Sequence, residues 1–254
     1  MKSNKVIIVL IVLLIVFAFL FYWYIGKDRM IRRDYDLVMI TESDATWNYH
    51  GYSWEQLYDI KDYNWKKMDV FLDGQYKGKY YIWHDDKWYI FDDNKEAINS
   101  TENFLAIQSN FEVKAKNFEM EDNKDDSIVG KILTDNDISN NVELTVNTKT
   151  TVDIDSDGVE ENIYIVSNTF PIDSSPDYTF SLVFMEKDGK IYEIYQHTTE
   201  SMYDGVRPFI NAIIDTNNDG IYEIVLTTSE YSTQKIGNLL FEWQNNEFQK
   251  VMEN

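Results

Sequence analysis

The chain opens on an unbroken apolar run, with no charged residue from Val6 to Ile25. As a helix rising about 1.5 Å per residue, such a run matches a hydrocarbon core of about 30 Å. Tyr22, Trp23 and Tyr24 stand at its end, where aromatic side chains favour a membrane interface. The run ends in the bulky "FYWYIGKDRM", without the small residues that precede a signal-peptide cleavage site. The pattern therefore predicts an uncleaved single-pass anchor with basic flanks over residues 1–33.

Beyond the run the period changes to two. "TTVDID", "NIYIVSN", "SLVFMEKDGKIYEIYQ", "EIVLTTSEY" and "NLLFEWQNNEFQKV" alternate apolar and polar residues, which predicts half-buried strands. Asp188-Gly189 and Asn245-Asn246 are residues that tolerate the left-handed backbone of a two-residue hairpin turn. Upstream, "MDVFLDGQYKGKYYIW" reads as a hairpin with Gly74 in the turn and a bulge at Gly78. "YYIWHDDKWYIFDD" reads as a second hairpin turning at Asp85-Asp86, and "FEVKAKNFEM" as a strand. Ser53 and Gln56 have capping-box spacing and predict a short helix near residues 54–61, and "NSTENFLAIQ" predicts another. The polar stretch "MEDNKDDSIVGKILTDNDISNN" marks a boundary. The expected fold is mainly β: an N-terminal transmembrane helix, an aromatic-rich β domain with short helices over residues 34–123, and a two-unit antiparallel β domain over residues 124–254. Its units are residues 145–202 and 207–254.

Charge narrows the function. Asp and Glu number 44 against 23 Lys and Arg, a formal net charge of −21, which repels nucleic acid and anionic lipid heads and suits cations. The absence of Cys excludes thiolate ligands, cysteine nucleophiles, a lipid-carrying cysteine and disulfides. None of the three His stands in a zinc spacing, and no nucleophile elbow or phosphate-binding glycine loop is present. With so many acids, carboxylate pairs carry no information about glycosidase chemistry. No catalytic residue is assigned.

The acids are not spread evenly. In "DIDSDGVEENIYIVSN" carboxylates fall at the first, third, fifth and ninth positions (Asp153, Asp155, Asp157, Glu161), with Gly158 at the sixth. A hard cation such as Ca²⁺ takes six to eight oxygens, and alternate side chains of a curled loop converge on one point. The glycine permits the sharp turn that offers the seventh-position carbonyl. "DTNNDGIYEIVLTT" repeats the pattern with Asp215, Asn217, Asp219, Gly220 and Glu223, again running into alternating apolar residues. An EF-hand is excluded, because the twelfth position holds Tyr164 or Leu226 instead of Glu and the flanks read as strands.

D-x-[DN]-x-D-G-x-x-E entering a strand resembles the calcium loops of FG-GAP and VCBS-type repeats, over about residues 145–254. The resemblance implies two Ca²⁺ sites, with ligands Asp153, Asp155, Asp157 and Glu161 in one and Asp215, Asn217, Asp219 and Glu223 in the other. The carbonyls of Val159 and Ile221 would assist. A propeller needs at least four blades and only two calcium loops are visible, so the expectation is two blade-like units and not a full propeller. "DDKWYIFDDN" is similar to half of a choline-binding wall repeat, but a caged ligand needs neighbouring copies. Trp83, Trp88, Tyr89 and Phe91 therefore read as two faces of an ordinary hairpin.

Lys27, Arg29, Arg32 and Arg33 follow the apolar run and argue for a cytoplasmic C-terminal side, whereas acidic calcium loops argue for an outside location. The expectation is an extracytoplasmic, membrane-anchored calcium-binding β-domain. It would act as a binding or structural module at the cell surface, partnered with the membrane, a wall polymer or another protein. The alternative is an enzyme acting on wall glycan or peptide with calcium as a structural ion.

Overall fold

The computed structural model describes residues 37–41, 46–49, 54–57, 63–85, 88–98, 104–109, 111–169, 178–201, 204–233 and 235–253. Alternating and continuous apolar runs become strands throughout. The N-terminal sheet holds β1 (Leu37–Thr41), β2 (Thr46–Tyr49), β3 (Trp54–Leu57), β4 (Lys66–Leu72), β5 (Gln75–His84), β6 (Trp88–Phe91), β7 (Ala97–Ile98) and β8 (Phe104–Ser109). Their order across the sheet is β3-β2-β1-β8-β4-β5-β6-β7. Two short strands follow, β9 (Lys114–Lys116) and β10 (Glu121–Asp122), then α1 (Asp126–Asp135). The first unit is β11 (Val146–Val152), β12 (Glu161–Ser167), β13 (Thr179–Lys187) and β14 (Lys190–Thr199). The second is β15 (Val206–Asp215), β16 (Glu223–Glu230), β17 (Ile236–Gln244) and β18 (Glu247–Glu253). Each unit is a four-stranded antiparallel meander, with β10 added at the β11 edge of one and β9 at the β15 edge of the other.

The sheets stack. Ile163, Ile165, Val183 and Met185 of the first unit pack on Ile213, Ile224, Leu226 and Leu239 of the second. The opposite face of the second unit, with Ala212, Ile214, Val225 and Leu240, packs on Met39, Phe71, Leu105 and Ile107 of the N-terminal sheet. Burying one such side chain contributes about 1.5–3 kcal/mol, so these interfaces fix the order N-terminal sheet, second unit, first unit. The outer face of the first unit, with Tyr164, Val166, Phe180, Leu182 and Phe184, is covered by Val129, Ile132 and Leu133 of α1. This helix begins where the Asp125 carboxylate accepts the Ser127 amide at 3.0 Å. It lies in the stretch that the sequence offered only as a boundary.

Several expectations are corrected. The apolar run Val6 to Ile25 lies outside the described residues, and no helix among the described residues is long and apolar enough to cross a membrane. The expected transmembrane helix, and the membrane and signal anchor built on it, are withdrawn, and the fold class is mainly β. Of the helix expected near residues 54–61, residues 58–61 lie outside the described residues, and 54–57 instead form β3, whose Gln56 pairs with Trp47 across the ladder. The local capping signal lost to sheet pairing. "FLAIQ" lies in β8, held between β1 and β4, where both ladders satisfy its backbone. The turns at Asp188-Gly189 and Asn245-Asn246 are as expected, with φ of 54°, 71°, 55° and 63°, while the turn expected at Asp85-Asp86 runs outside the described residues. Trp88 is buried, while Trp83, Tyr89 and Phe91 share the other face with Trp65, whose ring centre lies 5.0 Å from that of Phe91.

Candidate metal centre

Both acidic loops connect the first strand of a unit to its second, so the same meander places them alike. Their backbones match. The fourth position is left-handed in each (Ser156 φ 58°, Asn218 φ 60°), as is the sixth (Gly158 φ 86°, Gly220 φ 88°). No atom stands within 4 Å of where a Cβ would be at either glycine, so it is the backbone angle and not crowding that demands glycine there. In each loop the seventh-position amide donates to the fifth-position carboxylate: Val159 to Asp157 at 2.7 Å, Ile221 to Asp219 at 2.8 Å. In each the ninth-position Glu, the first residue of a strand and only 1% exposed, accepts the amide of the second position. Glu161 Oε2 receives Ile154 N at 2.9 Å, and Glu223 Oε2 receives Thr216 N at 2.6 Å.

The first loop gathers its acids. Single carboxylate oxygens of Asp153, Asp155 and Glu161 lie within 4.8 Å of one another. Asp157 is drawn to the same place through Lys187 and is held below the ordinary carboxylate range, first by the Val159 amide and then by Lys187. Asp153 Oδ1 and Asp155 Oδ1 are buried without a hydrogen-bond partner. A buried, unpaired carboxylate oxygen costs free energy, and a hard cation is the partner that would remove that cost.

The second loop spends its oxygens internally. Asp215 Oδ1 accepts the Asp219 amide and Oδ2 the Gly220 amide, both at 3.1 Å, and Asn217 Oδ1 accepts the Asp219 amide at 3.0 Å. Glu223 is walled in by Thr216, whose hydroxyl donates to it at 2.7 Å. Burial pushes the Glu223 carboxyl up to about 8; the Thr216 bonds oppose the shift, and the Glu242 and Asp219 charges add to it.

Four residues outside the motif shape these loops. Lys187 Nζ lies 2.6 Å from Glu161, 2.9 Å from Asp155 and 3.1 Å from Asp157. Burial works against its charge, but the bonds to Glu161, Asp155 and Asp157 outweigh it and hold the ammonium above the ordinary lysine range. Met185 opposes Ile163, and Leu240 opposes Val225, so the strand registers make Glu242 the counterpart of Lys187 in the second unit. β9 supplies the other two: Lys114 Nζ is 4.0 Å from Asp215 and Lys116 Nζ is 3.9 Å from Asp153. No signal inside the acidic motif names any of them; only the strand register does.

The loops also touch. Ser156 Oγ donates to the Gly220 carbonyl at 2.7 Å, and Tyr222 N to the Ile154 carbonyl at 2.8 Å. All ten expected ligand residues thus lie in two adjoining loops, and of these the structure clusters the carboxylates of Asp153, Asp155 and Glu161. No family model, curated protein or solved structure matches the chain.

Proposed function

We propose that the chain is a calcium-binding β-module of the cell surface, working outside the cytoplasm as a structural or binding unit toward a wall polymer or protein partner. Asp153, Asp155, Asp157 and Glu161, with the Val159 carbonyl, would hold the principal ion. The single observation that carries this reading is the convergence of Asp153, Asp155 and Glu161 together with the two buried, unpartnered oxygens of Asp153 and Asp155. Asp215, Asn217, Asp219 and Glu223, with the Ile221 carbonyl, would hold a second and weaker ion, because binding there must first release the loop's own hydrogen bonds. The loop backbones match each other, which supports a like role for both. Extracellular modules take calcium at about 10⁻⁴ to 10⁻³ M, which fits an outside location. An ion in the first loop would stiffen the junction where Ser156 and Ile154 meet the second unit.

The enzyme reading would need a carboxyl with a raised pKa set in a cleft. The raised carboxyl of Glu223 is 1% exposed and lines neither the cleft of about 530 Å³ beside Arg207 nor that of about 570 Å³ beside Lys149.

Thermal melting of the full chain in EDTA, calcium or magnesium tests the proposal. At ten times its Kd, calcium adds about 1.4 kcal/mol of stability, a rise in Tm of about 3–6 °C. Magnesium gives less, since it demands octahedral oxygens and sheds water reluctantly. Asp155→Ala removes most of the rise. A wild-type Tm unmoved by millimolar calcium overturns the reading.

A further inference from the structure

The first loop already carries a cation of its own. Lys187 Nζ bonds to oxygens of Asp155, Asp157 and Glu161, the third, fifth and ninth positions that a calcium ion would need. An ammonium in contact with all three occupies the point on which they converge, and a second cation beside it would be repelled. We propose that Lys187 is a tethered counter-ion that must leave when Ca²⁺ enters, so that it preserves the loop without the ion and sets the calcium concentration at which the loop fills. This inference rests on the calcium reading of the loop.

Three features of the structure bear on it. An ammonium has three hydrogens to give. Here Asp155, Asp157 and Glu161 absorb them, and Asp153 Oδ1 and Asp155 Oδ1 stay buried and unpartnered. A divalent ion that takes six to eight oxygens serves those atoms as well, so the lysine is the poorer occupant and can be displaced.

Leaving is also local. Lys187 ends β13, directly before the Asp188-Gly189 turn, and its side chain is 14% exposed. Rotation about its own side-chain bonds carries the ammonium to water, while the pairing of Lys187 with Lys190 keeps the hairpin closed. The exchange removes one positive charge from the loop and brings two, which favours the ion at a site with four carboxylates.

The second unit supplies the internal control. At the counterpart position it carries Glu242, whose Oε1 accepts Trp54 Nε1 at 3.4 Å and whose Oε2 accepts Gln244 Nε2 at 2.6 Å. The second loop therefore has no tethered ammonium at this position. A lysine in one unit and a glutamate in the other, on the same strand at the same register, adds a difference of charge to the differences in hydrogen bonding between the two loops.

The test uses the full chain and calcium alone. Calcium titrations by calorimetry compare the wild type with Lys187→Met and Lys187→Gln, and the wild type is also treated with a lysine-acylating reagent with and without calcium. Removal of a competitor raises the apparent affinity by the inverse of the fraction in which the loop is open, expected here as tenfold or more. In EDTA the Lys187→Met Tm falls by at least about 5 °C, because buried carboxylates lose their partner. In the wild type, acylation of Lys187 rises severalfold when calcium is added. Calcium that binds the wild type and either variant equally well, or that binds while Lys187 stays protected, overturns the proposal and leaves the calcium site standing. Calcium that binds none of the three proteins overturns both. A Lys187→Met chain that fails to fold in EDTA leaves the decision to Lys187→Gln and to the acylation of the wild type.

Discussion

The two acidic loops are copies in backbone and differ in the charge set against their buried glutamate. Position for position they share two left-handed residues, an amide closed onto the fifth-position carboxylate, and a buried ninth-position Glu that holds the second-position amide. Yet the ninth-position Glu161 faces an ammonium, whereas Glu223 faces the field of another glutamate. A repeated motif thus specifies the path of the chain. The electrostatic state of each copy depends also on what surrounds it: Lys187 on a neighbouring strand in the first loop, and burial, with the Glu242 charge added, in the second.

The largest expected break in this pairing comes from the same substitution made in both loops. Glu161→Gln removes the shortest ion pair of Lys187 and costs about 3 kcal/mol in EDTA at pH 7. Glu223→Gln costs less than about 1 kcal/mol, because a carboxyl that titrates near 8 is mostly protonated there and its amide replacement resembles it. Urea unfolding of both variants measures the difference, and equal losses would show that Lys187 does not distinguish the loops.

The next effect is on pH. Glu223 titrates near 8 in the folded chain against an ordinary 4.5 once unfolded. Its contribution to stability is therefore fully present below about pH 4.5 and is lost as pH rises through about 8. The slope in that window reaches at most about 1.4 kcal/mol per pH unit. Melting in EDTA at several pH values should show this slope in the wild type and a flatter one in Glu223→Gln. Parallel curves would mean that Glu223 ionises freely.

A third experiment makes the loops alike. Glu242→Lys places an ammonium beside Glu223, keeps that carboxyl ionised and at pH 8 adds about 1 kcal/mol, less whatever the lost Trp54 contact contributed. Chemical denaturation of this variant against the wild type reads the gain. A loss of stability at pH 8 would show that Glu242 does not stand where Lys187 stands.

The smallest effect concerns how the copies touch. Ser156→Ala deletes the hydroxyl bond to the Gly220 carbonyl and should cost about 0.5 kcal/mol. It should also weaken any influence of calcium in the first loop on hydrogen exchange in the second. Exchange at Ile221 and Tyr222 that responds to calcium equally in wild type and variant would place the coupling elsewhere.

Much of the second half of the chain was legible because its signals are local. The glycine at the sixth position, the Asp188-Gly189 and Asn245-Asn246 turns and the alternating strands act through neighbours in sequence. The bulge opposite Val70 and Phe71 was likewise marked by Gly78. What failed was non-local. Ser53 and Gln56 suggested a helix that pairing with β2 overrode, and α1 was hidden because its apolar stripe is short and lies among acids. Lys187 was missed for a subtler reason. It stands directly before its turn, whereas Glu242 is followed by Trp243 and Gln244 before Asn245, so aligning the hairpins by their turns pairs Lys187 with Gln244. Only the ladders to β12 and β16 reveal the true counterpart.

The stack has a direction, and α1 ends it. Leu226 and Leu239 pair across β16 and β17 on the face that receives the first unit. Their counterparts Tyr164 and Phe184 pair on the face that receives α1, with rings 5.0 Å apart. The helix therefore sits on the first unit where that unit sits on the second. The junction between the two units joins unlike faces, a head-to-tail geometry that does not close on itself. By taking the place of a further sheet, the ten residues of α1 cap the stack, as the end repeats of a solenoid cap theirs.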